Sequence, residues 1–515
     1  MNATVHNRYS PAVEEPMAAG FIEFIGGKLG RYAQVGTQRY WTPLRVLLMF
    51  AVIFLGLAYL SKAYCLESVL PGAGLGSVGS AGSSGGAGAT IGAGEALLNW
   101  SGNRQYTAAC YSDTIAGYTQ FSYNFPYNVP VADAPKSPVL STLFGWVMYW
   151  ISGMVGVVVR LVGLQIAPPV VYFAVTAVTL SILWMITVRI MVDLTGSRVW
   201  DTLLLTCSPV VIVHAFTHWE ILSITTAVGA LWCLSRQHFG YAGVFIGLGI
   251  SAQIWPVFLL LALYIIAGRN DQWWETLRCT QFTILSWAAI NIPVAVLFPH
   301  TWFRYFVDVY LQMWDWQSGF ALLIRETNWL GFDRATTLNL VTVGMFSVLL
   351  VMIIAVICQS PSTPGVPEVT LLLLVAWLLS TKEWSSQFSL WLVPIIVLAV
   401  PKWRLVFAWG AVEAVLWYVQ ALHMLGKDHL GLPGGMLDFM LIIRGGLLLM
   451  LVWVMLRDNI PHIPKTRRRA YRKHTWTAPQ SPQWEASLWD FSASADRSPA
   501  TCTTSRRSSP GDSSP

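Results

Sequence analysis

A polar stretch, Cys110-Tyr111-Ser112-Asp113, lies in the long loop after the first hydrophobic segment and carries the residue best suited to acid–base chemistry. A carboxylate beside a substrate hydroxyl can take its proton as a general base. Asp is also among the residues favoured at helix N-caps, and the segment after Asp113 has helical potential. Asp113 is therefore a candidate general base, a candidate N-cap, or both at once.

Three cations lie where hydrophobic segments give way to polar loops, namely Lys382, Arg304 and Arg325. Cations in such positions can bind a phosphate group at the lipid boundary. The alternative for Lys382 is that it snorkels to the membrane interface or pairs with the neighbouring Glu383.

Tryptophans are abundant at the same edges, and Trp255, Trp314 and Trp316 are the candidates for contact with a sugar ring. Most tryptophans in such positions anchor a membrane protein in the interface. Both interpretations fit the sequence.

His214 and His218 are one helical turn apart, with Glu220 close behind, a spacing that superficially suits a metal. The chain leaves one helix and begins the next between them, so a shared face is not assured. A polar hinge or a rim that binds the acceptor is favoured. No metal site is predicted, and a divalent cation is possible but not indicated.

The elements that must position these residues are membrane helices. Of the 515 residues, 55% are hydrophobic and only 11% are charged, whereas a soluble globule is charged at about a quarter of its positions. Apolar runs of spanning length recur from Leu44 to Leu456, which predicts an all-α polytopic bundle of about twelve spans. The net charge of +6 is concentrated after the last run, so it indicates orientation rather than nucleic-acid binding.

The predicted organisation has three parts. Residues 1–43 form a cytoplasmic arm, residues 44–456 the transmembrane domain, and residues 457–515 a tail that is first basic and then rich in Ser and Pro, and is predicted to be disordered. Two external loops interrupt the transmembrane domain. They are residues 65–167, with a flexible Gly-rich insertion at 71–94, and residues 300–334.

The segment 139–163 is apolar but is interrupted by glycines and serines. If it lies along the outer face as a juxtamembrane or re-entrant helix pair, every later cluster of Lys and Arg falls inside the cell. Both termini are then cytoplasmic, and the polar residues described above gather at the extracytoplasmic face of the plasma membrane.

Cys65 and Cys110 both fall in the first external loop, where an oxidising compartment would let them pair. A disulfide is predicted, and two unreactive thiols are the alternative.

Several motifs together resemble the actinobacterial membrane proteins of glycosyltransferase family 87, from about residue 21 to residue 473 without the Gly-rich insertion. The motifs are Glu23-Phe24-Ile25-Gly26-Gly27-Lys28-Leu29-Gly30-Arg31, Trp41-Thr42-Pro43-Leu44-Arg45, residues 106–113, His218-Trp219-Glu220-Ile221-Leu222, Trp255-Pro256, Trp314-Asp315-Trp316 and Lys382-Glu383-Trp384-Ser385-Ser386-Gln387-Phe388-Ser389-Leu390-Trp391.

The resemblance implies a GT-C fold, a catalytic Asp in the first extracytoplasmic loop, and a polyprenyl-phosphate sugar, usually mannose, as donor. Asp113 occupies the position of that Asp. The implied acceptor is a glycolipid or cell-wall glycan, and the other implied partners are membrane lipids. The resulting assignment places donor-phosphate binding at Lys382, Arg304, Arg325 and Gln253, and acceptor or sugar binding at His218, Glu220, Trp255, Asp315, Trp316 and Gln387.

The chain departs from the family pattern at several positions. Lys136-Ser137-Pro138 stands where Glu-Tyr-Pro is usual, Gln253 replaces a Lys, His218 and Glu220 replace Asn and Asp, and Ser386 replaces a Pro. One carboxylate and one cation are therefore missing, and Gln253 can donate a hydrogen bond but cannot neutralise phosphate. A transporter or flippase, or a catalytically degenerate scaffold of the same fold, are the alternative functions.

Overall fold

The computed structural model describes residues 16–18, 20–21, 42–66, 103–164, 166–322, 334–360, 363–400, 402–426 and 429–459. Helices dominate these segments, and no strand occurs in them. They all lie within one compact unit, Met1–Trp476. The predicted all-α architecture is confirmed.

The helices are numbered here in chain order. In chain order they are α1 (Pro43–Ala63), α2 (Arg104–Thr107), α3 (Asp113–Ala116), α4 (Val139–Leu161), α5 (Pro168–Thr195), α6 (Leu203–Thr206), α7 (Pro209–His214), α8 (Glu220–Ser235), α9 (Phe239–Ala252), α10 (Val257–Asn270), α11 (Trp273–Leu297), α12 (Pro299–Leu311), α13 (Ala335–Gln359), α14 (Val366–Ser380), α15 (Ser389–Ala399), α16 (Trp403–Met424) and α17 (Gly434–Asn459). Short 3₁₀ segments occur at Gly117–Gln120, Val131–Asp133, Gly196–Thr202 and Ser386–Phe388.

Seven of these helices are long and apolar enough to cross a membrane, namely α1, α4, α5, α11, α13, α16 and α17. Only 17% of the apolar window is buried in α11 and in α13, so these two lie at the periphery with lipid-facing side chains. Helices α14 and α15 are short but almost wholly buried, and they form the centre of the bundle. The chain is a multi-pass membrane protein.

The segment 139–163 is not a helix pair. It forms the single continuous helix α4 of 23 residues, so the expected break was wrong. Glycine is tolerated in apolar helices because the backbone keeps its internal hydrogen bonds. At Gly145 a Cβ atom would stand 2.6 Å from the Phe121 ring and 2.8 Å from the Trp219 ring, so this glycine lets the helix pack closely against both.

The apolar run 199–215 does not form one helix. The chain forms the 3₁₀ segment Gly196–Thr202, then α6, and then α7, which begins at Pro209 after the extended residue Ser208. Proline has no N–H to offer the preceding turn, so it starts a helix rather than continuing one. This break sets the position of the short 215–219 connection that leads into α8.

The second predicted external loop contains a helix at its start. Pro299 is the first residue of α12, and the helix exposes Phe303, Phe306 and Tyr310 along one side. An exposed apolar stripe on a short helix beside membrane spans is typical of a helix at the membrane interface.

Candidate active site

The first loop is fixed where it leaves the membrane helices. Cys65 and Cys110 form a disulfide, with Cα atoms 5.9 Å apart. The neighbouring Ala109 carbonyl accepts a hydrogen bond of 2.8 Å from the Trp417 indole of α16. The chain before Asp113 is therefore attached both to the end of α1 and to α16.

Asp113 is the first residue of α3, and it is half-buried. The N-cap interpretation is wrong, because Ser112 occupies the cap position with extended backbone angles. The Ser112 hydroxyl instead donates to the Phe216 carbonyl at 2.7 Å, and the Thr114 amide donates to the Thr217 carbonyl at 3.2 Å. Asp113 is thus held between two residues that bind the connection between α7 and α8.

The Asp113 carboxylate is oriented by its neighbour two residues earlier. The Tyr111 hydroxyl donates to Asp113 Oδ1 at 2.5 Å. Burial and the negative charge of Asp113 raise the pKa of Tyr111, so its hydroxyl remains a neutral donor at physiological pH.

Lys62, near the end of α1, is a site residue that the sequence analysis missed. Its side chain is 1% exposed, and Nζ donates to the Tyr111 carbonyl at 3.0 Å and lies 4.3 Å from the centre of a Trp417 ring. Lys62 also attracts Asp113 electrostatically. A lysine three positions before Cys65 was the available signal, but a terminal lysine of a span more often snorkels outward.

A second polar cluster is centred on Glu220, the first residue of α8, which is fully buried. Its carboxylate accepts hydrogen bonds from the Gln253 amide at 3.1 Å and from the Trp391 indole. His218 Nδ1 lies 3.5 Å from Glu220 Oε1. The structure therefore brings together His218, Glu220 and Gln253, three residues that the sequence predicted as site residues.

The charges of both Glu220 and Asp113 act on His218. Burial alone would lower the pKa of His218, but contact with Glu220 and the negative charges of Glu220 and Asp113 outweigh it, so the pKa is raised. His214 has a different environment: its buried ring lies edge-on to Trp417 at 5.2 Å. The two histidines do not share a ligand set, and the described residues contain no cluster of three or more potential metal ligands.

Trp255 does not fit its predicted role in sugar binding. The ring has no exposed surface, stacks against Trp391 at 5.9 Å, and donates its indole hydrogen to Ser223 at 2.9 Å. A ring that is packed and hydrogen-bonded in this way stabilises the core behind Glu220. Trp316 is 45% exposed, and its ring lies 5.5 Å from that of Trp314 and 6.0 Å from that of His423.

Lys382 lies at the far end of the polar region and contacts the C-terminus of α12. Nζ donates to the carbonyls of Val309 and Tyr310 at 3.0 and 3.1 Å. Burial lowers the pKa of Lys382, although Glu383 acts in the opposite direction. A lysine at the carbonyl end of a helix is stabilising, so part of its donor capacity is used inside the protein.

Two other predicted residues, Asp315 and Gln387, lie in chain segments next to this position. The Asp315 amide donates to the Lys382 carbonyl at 2.8 Å, which joins the chain after α12 to the chain after α14. Burial raises the pKa of Asp315 and of Glu383. Gln387 is half-buried in the following 3₁₀ segment.

Of the two remaining predicted cations, Arg304 lies within the described residues and Arg325 does not. Arg304 forms a surface ion pair of 2.8 Å with Asp308 one turn later on α12. Arg325 lies outside the residues that the structure describes.

A buried ion pair that the sequence analysis missed supports the segment 381–389. Arg444 of α17 and Glu413 of α16 have no exposed surface, and their side chains are 2.9 Å apart. Arg444 also donates to the Trp384 carbonyl at 3.4 Å and to Ser389 Oγ at 3.0 Å, and it lies over the Trp384 ring at 3.7 Å. A single charged residue within an apolar run was the only available signal.

Comparison with known families agrees with this architecture. Residues 155–381 match the profile described as glycosyltransferase family 87. The match confirms the resemblance predicted from the sequence motifs, and it indicates a membrane glycosyltransferase. A comparison with curated proteins finds no match. Asp113 precedes the matched range and Lys382 follows it directly, so the roles of these two residues depend on their geometry and on the sequence motifs.

Proposed function

We propose that this protein transfers a sugar from a polyprenyl-phosphate donor to a glycolipid or cell-wall glycan at the extracytoplasmic face of the membrane. The proposed sugar is mannose. Asp113 acts as the general base, and the anomeric configuration inverts. The family match supports glycosyl transfer. The donor, the acceptor and the stereochemistry are the proposed part.

The observation that carries the proposal is the way in which Asp113 is held. Its flanking residues bind the 216–217 connection, Tyr111 binds one carboxylate oxygen, and the disulfide attaches the preceding chain to α1. A general base must stay within hydrogen-bond distance of the proton it removes. A half-buried carboxylate restrained from several directions meets that requirement better than a residue of an unattached loop.

The proposed reaction is a single displacement. The acceptor oxygen forms a bond to the anomeric carbon while its proton passes to Asp113. The bond between the anomeric carbon and the phosphate oxygen breaks, and its electron pair leaves with the polyprenyl phosphate. The leaving group is an anion, so a preorganised positive field helps more than a proton donor does.

The test is transfer by the purified full-length protein from a radiolabelled polyprenyl-phosphate mannose to a lipid-extract acceptor. Asp113→Asn removes the base but keeps the shape of the side chain, and loss of a general base typically lowers the rate by about 10²- to 10⁴-fold. Asp133→Asn is the matched control, because Asp133 is an exposed carboxylate of the same loop.

Transfer that is lost in Asp113→Asn and kept in Asp133→Asn supports the proposal. Full transfer by a correctly folded Asp113→Asn protein contradicts the assignment of the base. Vectorial movement of the lipid without transfer favours a flippase, and neither activity favours a scaffold.

A further inference from the structure

The positive field required at the leaving group has few sources in the described part of the chain. Lys62 donates to the Tyr111 carbonyl, and Lys382 donates to two carbonyls of α12. Arg444 is bound to Glu413. Each of these cations already donates hydrogen bonds to protein oxygens, so fewer of its donors remain for a ligand.

His218 differs from them in where its partner lies. Glu220 is fully buried, whereas the His218 side chain keeps 14% of its surface exposed. The carboxylate therefore lies on the inner side of the pair and the imidazole on the outer side. Gln253, predicted from the sequence to bind phosphate, donates to the same Oε1 atom of Glu220 that His218 Nδ1 approaches.

We propose that protonated His218 binds the phosphodiester of the donor through Nε2, while Glu220 holds the ring through Nδ1. Gln253 is then a positioning residue that fixes Glu220, and it does not contact the phosphate. An imidazolium donates from both ring nitrogens, so one can bind the carboxylate and the other a phosphate oxygen. This assignment rests on the proposed function, and it replaces the predicted role of His218 in acceptor binding.

The charges around His218 make this binding depend on pH. Glu220 of α8 lies beside the ring, and Asp113 of the first loop acts on it electrostatically; their negative charges raise the pKa of His218 above its ordinary value. Glu220 is in turn close enough to influence Tyr305 of α12 and Glu383. The phosphodiester keeps one negative charge at neutral pH, so the titrating partner is the histidine. Binding should be strong below the raised pKa and weaken as the pH rises through it.

The experiment measures binding of farnesyl methyl phosphate, a phosphodiester without a sugar, to the full-length protein in detergent between pH 5.5 and 9. For the wild type we expect the dissociation constant to rise about 10-fold or more across this range, since a hydrogen bond to a charged group is lost. His218→Gln should bind weakly at every pH. His218→Lys should bind at every pH, because its charge persists.

Glu220→Gln separates positioning from direct contact. Without this carboxylate, burial becomes the main influence on the pKa of His218 and lowers it. The pH at which binding is lost should therefore move downwards. His238→Gln is the matched control, because His238 is exposed just before α9, beyond the far end of α8, and should leave the wild-type pH profile unchanged.

A wild-type pH profile in folded His218→Gln protein would overturn the assignment, as would binding that does not vary with pH. Because the probe lacks a sugar, its binding is independent of transfer. His218-dependent binding without transfer to any acceptor would contradict the proposed function alone. Sugar transfer together with phosphodiester binding that does not depend on His218 would contradict only the role assigned to His218.

Discussion

The Tyr111 hydroxyl donates to Oδ1 of Asp113 at 2.5 Å, although only Ser112 lies between the two residues. The two side chains meet because the extended Ser112 turns its own hydroxyl towards Phe216. One carboxylate oxygen is thus fixed by the protein, which sets the direction in which the carboxylate can approach a substrate.

Removing the Tyr111 hydroxyl should therefore slow the reaction. For Tyr111→Phe we expect kcat to fall by about 10-fold with little change in KM, the size expected when one hydrogen bond to a charged group is lost. Steady-state transfer assays measure both constants. Tyr123→Phe, at an exposed tyrosine of the same loop, should retain wild-type values. An unchanged kcat in Tyr111→Phe would show that the carboxylate does not need this contact.

Lys62 should also be required to hold Tyr111, and through it Asp113, in position. Lys62→Met keeps an unbranched side chain but removes the donor to the Tyr111 carbonyl, so we expect a loss of stability of about 1–3 kcal/mol together with reduced transfer. Lys62→Arg should retain part of both, because it keeps the charge near Trp417. Thermal unfolding and transfer are measured in parallel, with Lys136→Met as a control in the first loop. Wild-type behaviour of Lys62→Met would mean that Lys62 is dispensable.

The disulfide should stabilise the first loop. It closes a sequence separation of 45 residues, and disulfides of this kind typically contribute about 2–4 kcal/mol. Cys65→Ser, Cys110→Ser and the double variant should each lose about the same stability, because one partner suffices to abolish the bond. Cys358→Ser, at an exposed free cysteine, should be neutral. Calorimetry with and without reductant measures this, and a reductant-insensitive wild type would contradict it.

Glu383 should make stability depend on pH. Burial raises its pKa in the folded protein above the unfolded value, and Asp315 adds a like charge. The folded state binds the extra proton, so stability falls as the pH rises from the unfolded pKa towards the folded one, and the penalty persists above that range. Glu383→Gln should therefore raise the Tm at pH 7, with the difference from wild type disappearing near pH 4.

Thermal melts between pH 4 and pH 8 provide the measurement. Glu275→Gln, at an exposed carboxylate of α11, is the control and should leave the pH profile of the wild type unchanged. A lower Tm of Glu383→Gln at pH 7 would show that the Glu383 charge stabilises the fold.

The sequence predicted the helices better than the site. The long helices α5, α11 and α13 lie within the stretch from Leu44 to Leu456 in which hydropathy predicted membrane spans. The break before α7 and the continuity of α4 depend on local backbone preferences and packing that composition does not show. The gathering of His218, Glu220 and Gln253 was expected from their common membrane face.

Residues whose role depends on burial were missed or misassigned. Lys62 contacts a carbonyl 49 positions away, and Arg444 contacts Glu413 across 31 positions, so neither pairing is visible in a local pattern. Trp255 was expected to contact a sugar because tryptophans are abundant at the membrane edges, but it stacks against Trp391, 136 positions later in the sequence. Only tertiary structure distinguishes a ring that binds a ligand from one that fills the core.

The buried Arg444–Glu413 pair also bears on how the chain enters the membrane. An arginine at the centre of an isolated membrane helix costs about 2.5–3.5 kcal/mol on insertion scales, and a lone carboxylate in α16 is also unfavourable. If α16 and α17 insert into the membrane together as a hairpin, Glu413 and Arg444 can form their ion pair before either charge is exposed to lipid. A chain truncated before α17 would leave Glu413 without its counter-ion, so the last helix matters for retaining the helix before it during biosynthesis.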